Sequence, residues 1–274
     1  MNRKTFEITD KVAVITGGAG LLGKEFARTL LEYGGRVVVV DISRPNGEAA
    51  VAGIRQETPG DIWYQYADIT SKESVETMVG AVVGRYGRID ILVNNAAVDP
   101  KFDAGDGRTH DHAFEDYPLE LWEKAIAVNL TGAFLCCQAV GRVMGSAGGG
   151  VIVNIASELG LIAPDQRIYL KRADPDTRVY KPADYPVTKA GLIHLTRYLA
   201  SYWGGENIRV NSLCPAAVHT SQDRELVENI SFRTMLGRMS HKSEFCGALI
   251  FLVSDASSYM TGANLVVDGG RSAW

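Results

Sequence analysis

Along the chain, short runs of β-branched residues alternate with longer stretches whose apolar positions recur every three or four residues. The first run covers residues 12–15. Leu22, Phe26, Leu30 and Tyr33 follow at helical spacing, and a second run, residues 37–40, ends at Asp41. Later strand candidates are 62–67, 89–94, 151–155, 208–213 and 264–267, with helical stretches such as 72–86, 119–143, 187–203 and 244–253 between them. The strands are apolar on both faces, as strands of a parallel sheet covered by helices on each side are. The pattern predicts an α/β fold: one domain over residues 1–274, built on a doubly wound, seven-stranded parallel sheet. No repeat, linker or composition shift marks a second domain.

Two long polar interruptions follow strand ends, residues 99–118 and 164–184. Ligands of open α/β sheets sit outside the carboxyl ends of the strands, and long unstructured loops there commonly serve as lids. Both stretches are expected to cover a substrate.

Composition narrows the partners. A net charge of −4 with no basic run argues against nucleic acid. The longest apolar run, 248–253, is too short to span a bilayer, so no membrane partner is expected. The first strand begins too early to leave room for a signal peptide. Cys136, Cys137, Cys214 and Cys246 show no Cys-x-x-Cys spacing and read as reduced packing residues of a cytoplasmic protein.

The first turn carries the most specific chemistry. Gly18-x-Gly20-x-x-Gly23 lies between a strand and a helix. Glycines there let the backbone approach a pyrophosphate that a Cβ would block, and the following helix aims free N–H groups at the phosphates. Asp41 ends the second strand roughly 20 residues on, where a carboxylate accepts from a ribose diol and repels a 2′-phosphate. The unit is therefore a dinucleotide-binding Rossmann βαβ, with NAD preferred over NADP; Arg44 nearby weakens that preference.

Tyr185 and Lys189 stand four residues apart, on one face of a helix predicted to start near Asp184. An ammonium close to a phenol stabilises the phenolate, and a phenol so tuned exchanges a proton with an alcohol or ketone. Ser157, just past the strand 151–155, can polarise a carbonyl in the same cleft.

These residues together resemble the short-chain dehydrogenase/reductase family over nearly the whole chain. The resemblance rests on the turn from Thr16 to Gly23, Asp68, Asn94-Asn95-Ala96-Ala97, Asn129, Ser157-Glu158, Tyr185/Lys189, Ile208 to Pro215, and Gly262 to Gly270. It implies a catalytic tetrad in which Tyr185 is the acid/base and Lys189 tunes it while holding the nicotinamide ribose. Ser157 would orient the reacting oxygen, and Asn129 would bind a water relaying protons from Lys189. It further implies cofactor contacts from Gly17, Gly18, Gly20, Leu21, Leu22 and Gly23 in the turn, from Asp41 and Ile42, and from Asp68 and Ile69 beside the adenine. Asn95, Ala96 and Ala97, then Pro215, Ala216, Val218 and Thr220, complete the implied set, and a homotetramer or homodimer is implied as the assembly. The apolar segment 248–267 is consistent with that assembly.

Three departures stand beside the match. Leu21 replaces the middle glycine of the single-domain branch, Ala216 replaces the usual glycine after Pro215, and the stretch from Ser157 to Tyr185 is unusually long. That stretch mixes Arg167, Lys171, Arg172, Arg178 and Lys181 with Asp165, Asp174, Asp176 and Asp184, and holds few large apolar residues. A polar substrate, such as a sugar or sugar derivative, fits it better than a steroid or acyl chain. With the glycine spacing it resembles bacterial oxidoreductases of surface-sugar and flagellin modification. The expected reaction is hydride transfer between NAD and a secondary alcohol or ketone. Two other functions stay open: a nucleotide-sugar epimerase or dehydratase that retains NAD, and a catalytically silent binding subunit. His110 and His112 lie among acids in a Gly-rich loop, a poor metal set, so no metal is expected. His194 is expected to pack against the core.

Overall fold

The computed structural model describes residues 3–99, 113–169 and 179–274. Its centre is a seven-stranded parallel sheet in the order β3-β2-β1-β4-β5-β6-β7. The strands are β1 (Val12–Thr16), β2 (Arg36–Asp41), β3 (Ile62–Tyr66), β4 (Ile91–Asn94), β5 (Gly150–Ile155), β6 (Ile208–Pro215) and β7 (Asn264–Val267). Helices are α1 (Leu21–Glu32), α2 (Arg44–Glu57), α3 (Lys72–Tyr86), α4 (Leu119–Ala125), α5 (Ala133–Ser146), α6 (Asp184–Trp203), α7 (Arg224–Phe232) and α8 (Cys246–Val253).

Successive strand residues face opposite sides, so the all-valine interior of β2 feeds two cores. Val38 and Val40 pack with Val14, Leu92, Met144 and Trp203 on one face. Val37 and Val39 pack with Ile15, Phe26, Leu30 and Phe245 on the other. Local signals set the ends of the helices. Ser43 accepts a hydrogen bond from Asn46 N to cap α2, Ser71 caps α3 in the same way, and Gly87, at φ 74°, terminates α3.

The seven strands, the single sheet and α3 match the expectation, and the differences have local causes. β4 begins at Ile91 rather than Ile89, although the Asp90 backbone already bonds to Val12 O and Val151 N and its carboxylate accepts from Val12 N (2.9 Å) and from Arg88. β6 runs on to Pro215 because Ser212–Pro215 pair with β7. The stretch predicted as one helix, 119–143, is α4 and α5 joined by a π-helical segment, Ile126–Gly132. Helices α2 and α7 were not among the predicted stretches. α2 carries Pro45, Gly47 and Gly53, which obscure its periodicity.

By length and composition, the run Leu119–Ser146 passes as a membrane-crossing helix, against the expectation that no stretch would. Here its Cys136, Cys137, Val140 and Met144 are packed in the core against the sheet. The apolar side chains of α8 are likewise used internally: Leu249, Ile250, Leu252 and Val253 are buried. The exposed part of the segment offered for assembly is the stretch between α8 and β7, where Tyr259 stands fully exposed, together with Val266 on the edge strand β7. His194 is exposed rather than packed.

Candidate active site

The strand order reverses direction at β1, and the loops leaving β1 and β4 part there to open a crevice at the carboxyl edge of the sheet. A cleft of about 800 Å³ occupies that position. Its walls are the first glycine turn, the segments after β2, β3, β4, β5 and β6, and the start of α6.

The glycine turn is shaped by contacts that leave no space for side chains. A Cβ on Gly23 would stand 2.3 Å from Gly17 O and 2.7 Å from Gly18 Cα, and one on Gly17 would stand 2.7 Å from Ala96 Cα. Gly17 also adopts φ +60°, the left-handed region. Helix α1 begins at Leu21 with no side-chain cap, so the amides of its first turn have no intrahelical acceptor. They face a concave backbone cradle of the kind that holds a diphosphate.

The segment after β4 is tied to this turn. Thr16 Oγ1 accepts from Asn95 N (3.1 Å) and Ala96 N (3.2 Å), while Asn95 Nδ2 donates to Thr16 O and Gly17 O (2.9 Å to the latter). Asn95 therefore fixes backbone. Asp41 lines the cleft at the end of β2 and accepts from Ala19 N and Ser43 N. Asp68 holds Thr70 through its Oδ1. Ile42, Ile69, Ala97, Pro215, Ala216, Val218 and Thr220 line the same cleft, with Gly17, Gly20, Leu21 and Leu22. Gly18 and Gly23 are not among the lining residues; they shape the turn from behind.

Ser157, Tyr185 and Lys189 converge on the other half of the cleft. Tyr185 occupies the first turn of α6, whose start is held by Asp184: its Oδ1 accepts from Tyr185 N (2.6 Å) and its Oδ2 from Tyr117 Oη (2.8 Å). Ser157, two residues past the end of β5, hydrogen-bonds the phenol, which favours the phenolate. Burial outweighs that contribution, and the Asp99 and Glu158 carboxylates add to it, so the phenol is pushed up. The expected lowering by Lys189 is thus absent from the protein alone. Lys189 Nζ donates to Ile155 O at 2.7 Å, and burial pushes its ammonium down to about 8.

Asn129 sits on the π-helical segment, away from the lining of the cleft. It accepts from Val98 N (2.8 Å) and donates to Val98 O (3.0 Å) and to Thr188 Oγ1 (3.1 Å), whose hydroxyl donates to Tyr185 O. It joins the segment after β4 to α6 directly. Beneath it, Asn94 donates to Asn154 and Asn154 to Thr196 (both 2.8 Å), so β4, β5 and α6 form one braced unit.

Several cleft residues lie outside the individually expected site residues, Lys181 being expected only as one charge of the second insertion. Tyr169, Lys181 and Asp99 come from the two insertions, Arg271 from the carboxyl-terminal segment, and Gln222, Leu226, Ile230 and Met239 from around α7. Leu226 and Ile230 lie one helical turn apart, the signal that would have revealed α7. With Met239, and backed by Ile168, they make an apolar wall in a cleft expected to be polar. Lys181 Nζ stands 4.5 Å from the Tyr185 ring centroid and pairs with Asp99. The centres of both predicted lids, residues 100–112 and 170–178, lie outside the described residues, and with them His110, His112, Lys171, Arg172, Asp174, Asp176 and Arg178.

Comparison with known proteins agrees with this geometry. A family model described as enoyl-(acyl carrier protein) reductase matches residues 18–272. An NAD-dependent glycerol dehydrogenase of Listeria innocua is 36% identical over 272 residues, covering 97% of this chain and 96% of that protein. A D-threitol dehydrogenase of Mycolicibacterium smegmatis is 33% identical over 270 residues, covering 97% and 94%. The crystal structure of a gluconate 5-dehydrogenase from Burkholderia cenocepacia, in complex with NADP and tartrate, superposes with a TM-score of 0.85 at 28% identity, covering 99% of this chain and 98% of that one. The chain belongs to the short-chain dehydrogenase/reductase family and is an NAD(P)-dependent oxidoreductase acting on CH–OH groups.

Proposed function

We propose that the protein oxidises a secondary alcohol of a polyhydroxylated small molecule, a polyol or sugar, with NAD as the hydride acceptor. The observation that carries this reading is the convergence of Ser157, Tyr185 and Lys189 on one cleft whose other half is the glycine cradle and Asp41. The residues fit the dinucleotide on structural grounds: a cradle that a Cβ would fill, first-turn amides without acceptors, and a carboxylate at the end of β2. When bound, the nicotinamide supplies the hydride chemistry.

The chain's own residues do the remainder. Ser157 donates to the reacting oxygen and holds it near the phenol. Tyr185 exchanges the proton with that oxygen. Lys189 stabilises the phenolate form, and its ammonium is kept in place by Ile155 O. The substrate class is supported by relatives named for glycerol and D-threitol and by the charged residues Asp99, Glu158, Lys181 and Arg271 around the reacting end. NAD is favoured by Asp41, which would oppose a 2′-phosphate. Free thiols at all four cysteines suit a reducing, cytoplasmic setting, and a homo-oligomer is in keeping with exposed Phe134, Tyr198 and Tyr202 on α5 and α6.

The test is a panel of polyols and sugars with NAD, followed by absorbance of the reduced coenzyme. Net NADH formation with at least one polyol is expected. Conversion of substrate without net NADH would indicate an epimerase or dehydratase instead, and the absence of both would overturn the reading.

A further inference from the structure

Glu158 is the most anomalous group at the site. It follows Ser157 in sequence, lines the same cleft, and is 2% exposed. Its one charged partner is Arg271, itself buried, with Arg271 Nε 3.5 Å from Glu158 Oε1. A charge-assisted bond closes to roughly 2.7–2.9 Å when nothing opposes it. Among the described residues Oε2 has no hydrogen-bond partner.

A buried ion pair maintained only for stability would be expected to satisfy its remaining lone pairs, because an orphaned carboxylate oxygen carries its full desolvation cost. Here the cost is visible. Burial, reinforced by Asp268 and opposed by Arg271 and by a hydrogen bond from the Ala217 amide, pushes the carboxyl up to about 7. The carboxylate is also near enough to the Tyr185 and Tyr169 phenols to raise both. It lines the cleft beside Ser157 and Tyr185, with one oxygen that accepts no hydrogen bond from the described residues.

We infer that Glu158 is a specificity-determining residue whose free carboxylate oxygen accepts a hydrogen bond from a second substrate hydroxyl, next to the one being oxidised, with Arg271 holding the carboxylate in place. This deepens the proposed function and rests on it. The preferred substrate is a neutral vicinal polyol, since the charges among the described lining residues include two opposed pairs, Glu158 with Arg271 and Asp99 with Lys181. A substrate lacking that hydroxyl leaves the oxygen unpaired on binding, and sites built to bind a hydroxyl discriminate strongly against analogues without it.

The experiment compares glycerol with 2-propanol and 2,3-butanediol with 2-butanol, each pair sharing its carbon skeleton, in the wild-type enzyme and in Glu158→Gln and Glu158→Asp. The readout is the ratio of kcat/KM within each pair, which is independent of the fraction of folded enzyme. The expected result is a wild-type preference for the diol of about tenfold or more, falling by at least about tenfold in both variants. A wild-type ratio near one, or a preference that survives both substitutions, would overturn the role of Glu158 while leaving the dehydrogenase reading intact. Failure of the wild-type enzyme to reduce NAD with any of the four alcohols or the wider panel would overturn that reading and the inference with it.

Discussion

Lys189 Nζ lies 5.5 Å from the centroid of the Tyr185 ring, one helical turn away, and donates to Ile155 O at the end of β5. The ammonium is buried and carries no carboxylate partner among the bonds that fix it. Such an arrangement costs stability, and the cost is the counterpart of function: a charge retained beside the phenol only because the surrounding sheet and helix hold it there.

The cost is measurable through pH. The native ammonium is depressed to about 8 by burial, with Asp99 partly opposing, from an ordinary 10.5. Between these values the unfolded chain binds a proton that the native state has released, so stability rises with pH across the window. Below about 8 both states are protonated and the penalty is constant. Lys189→Met removes the charge and should raise Tm at pH 7 by several degrees, since each kcal/mol is worth ~2–4 °C at this size. Its advantage over the wild type should shrink as pH climbs from about 8 to 10.5 in calorimetric scans; an advantage independent of pH, or none at pH 7, would contradict the assignment.

Asp41 is the discriminator between coenzymes. Its carboxylate orders the turn by accepting from Ala19 N and Ser43 N, and Arg44 follows immediately. Asp41→Ala should weaken NAD by about tenfold or more, the worth of one or two charge-assisted bonds, and strengthen NADP relative to it, as read by titration calorimetry with both coenzymes. An unchanged preference would show that Asp41 supports the turn but does not read the ribose.

Gly23→Ala tests the cradle. The new Cβ meets Gly17 O at 2.3 Å, and backbone on both sides has no flexible end to yield. NAD affinity should fall at least tenfold with a drop in Tm, because the first turn of α1 must shift away from the diphosphate. Retained affinity with a wild-type Tm would mean that the turn relaxes without cost.

Much of this site was legible because its parts are local. The turn from Gly18 to Gly23, the acid ending β2 and the Tyr185/Lys189 pair each lie within one strand–turn–helix unit, where period and spacing are read directly. What escaped reading is what folding brings together from afar. Arg271 meets Glu158 from more than a hundred residues away in the sequence, and Lys181 meets Asp99 from a separate insertion. The apolar wall needed α7, a short helix recognisable only by Leu226 and Ile230. The sign of the Tyr185 shift differs from the expectation for a related reason: helical spacing places Lys189 nearby, but burial, with the Asp99 and Glu158 carboxylates from other parts of the chain, raises the phenol.

The central claim is that Tyr185 transfers the proton while the cradle binds the coenzyme independently of it. The direct measurement is Tyr185→Phe, assayed for kcat with the best substrate from the polyol panel and titrated with NAD in the same preparation. The account predicts a kcat lower by ~10²-fold or more with NAD affinity within about threefold of wild type. A kcat within tenfold of wild type, or loss of NAD binding together with activity, would contradict it.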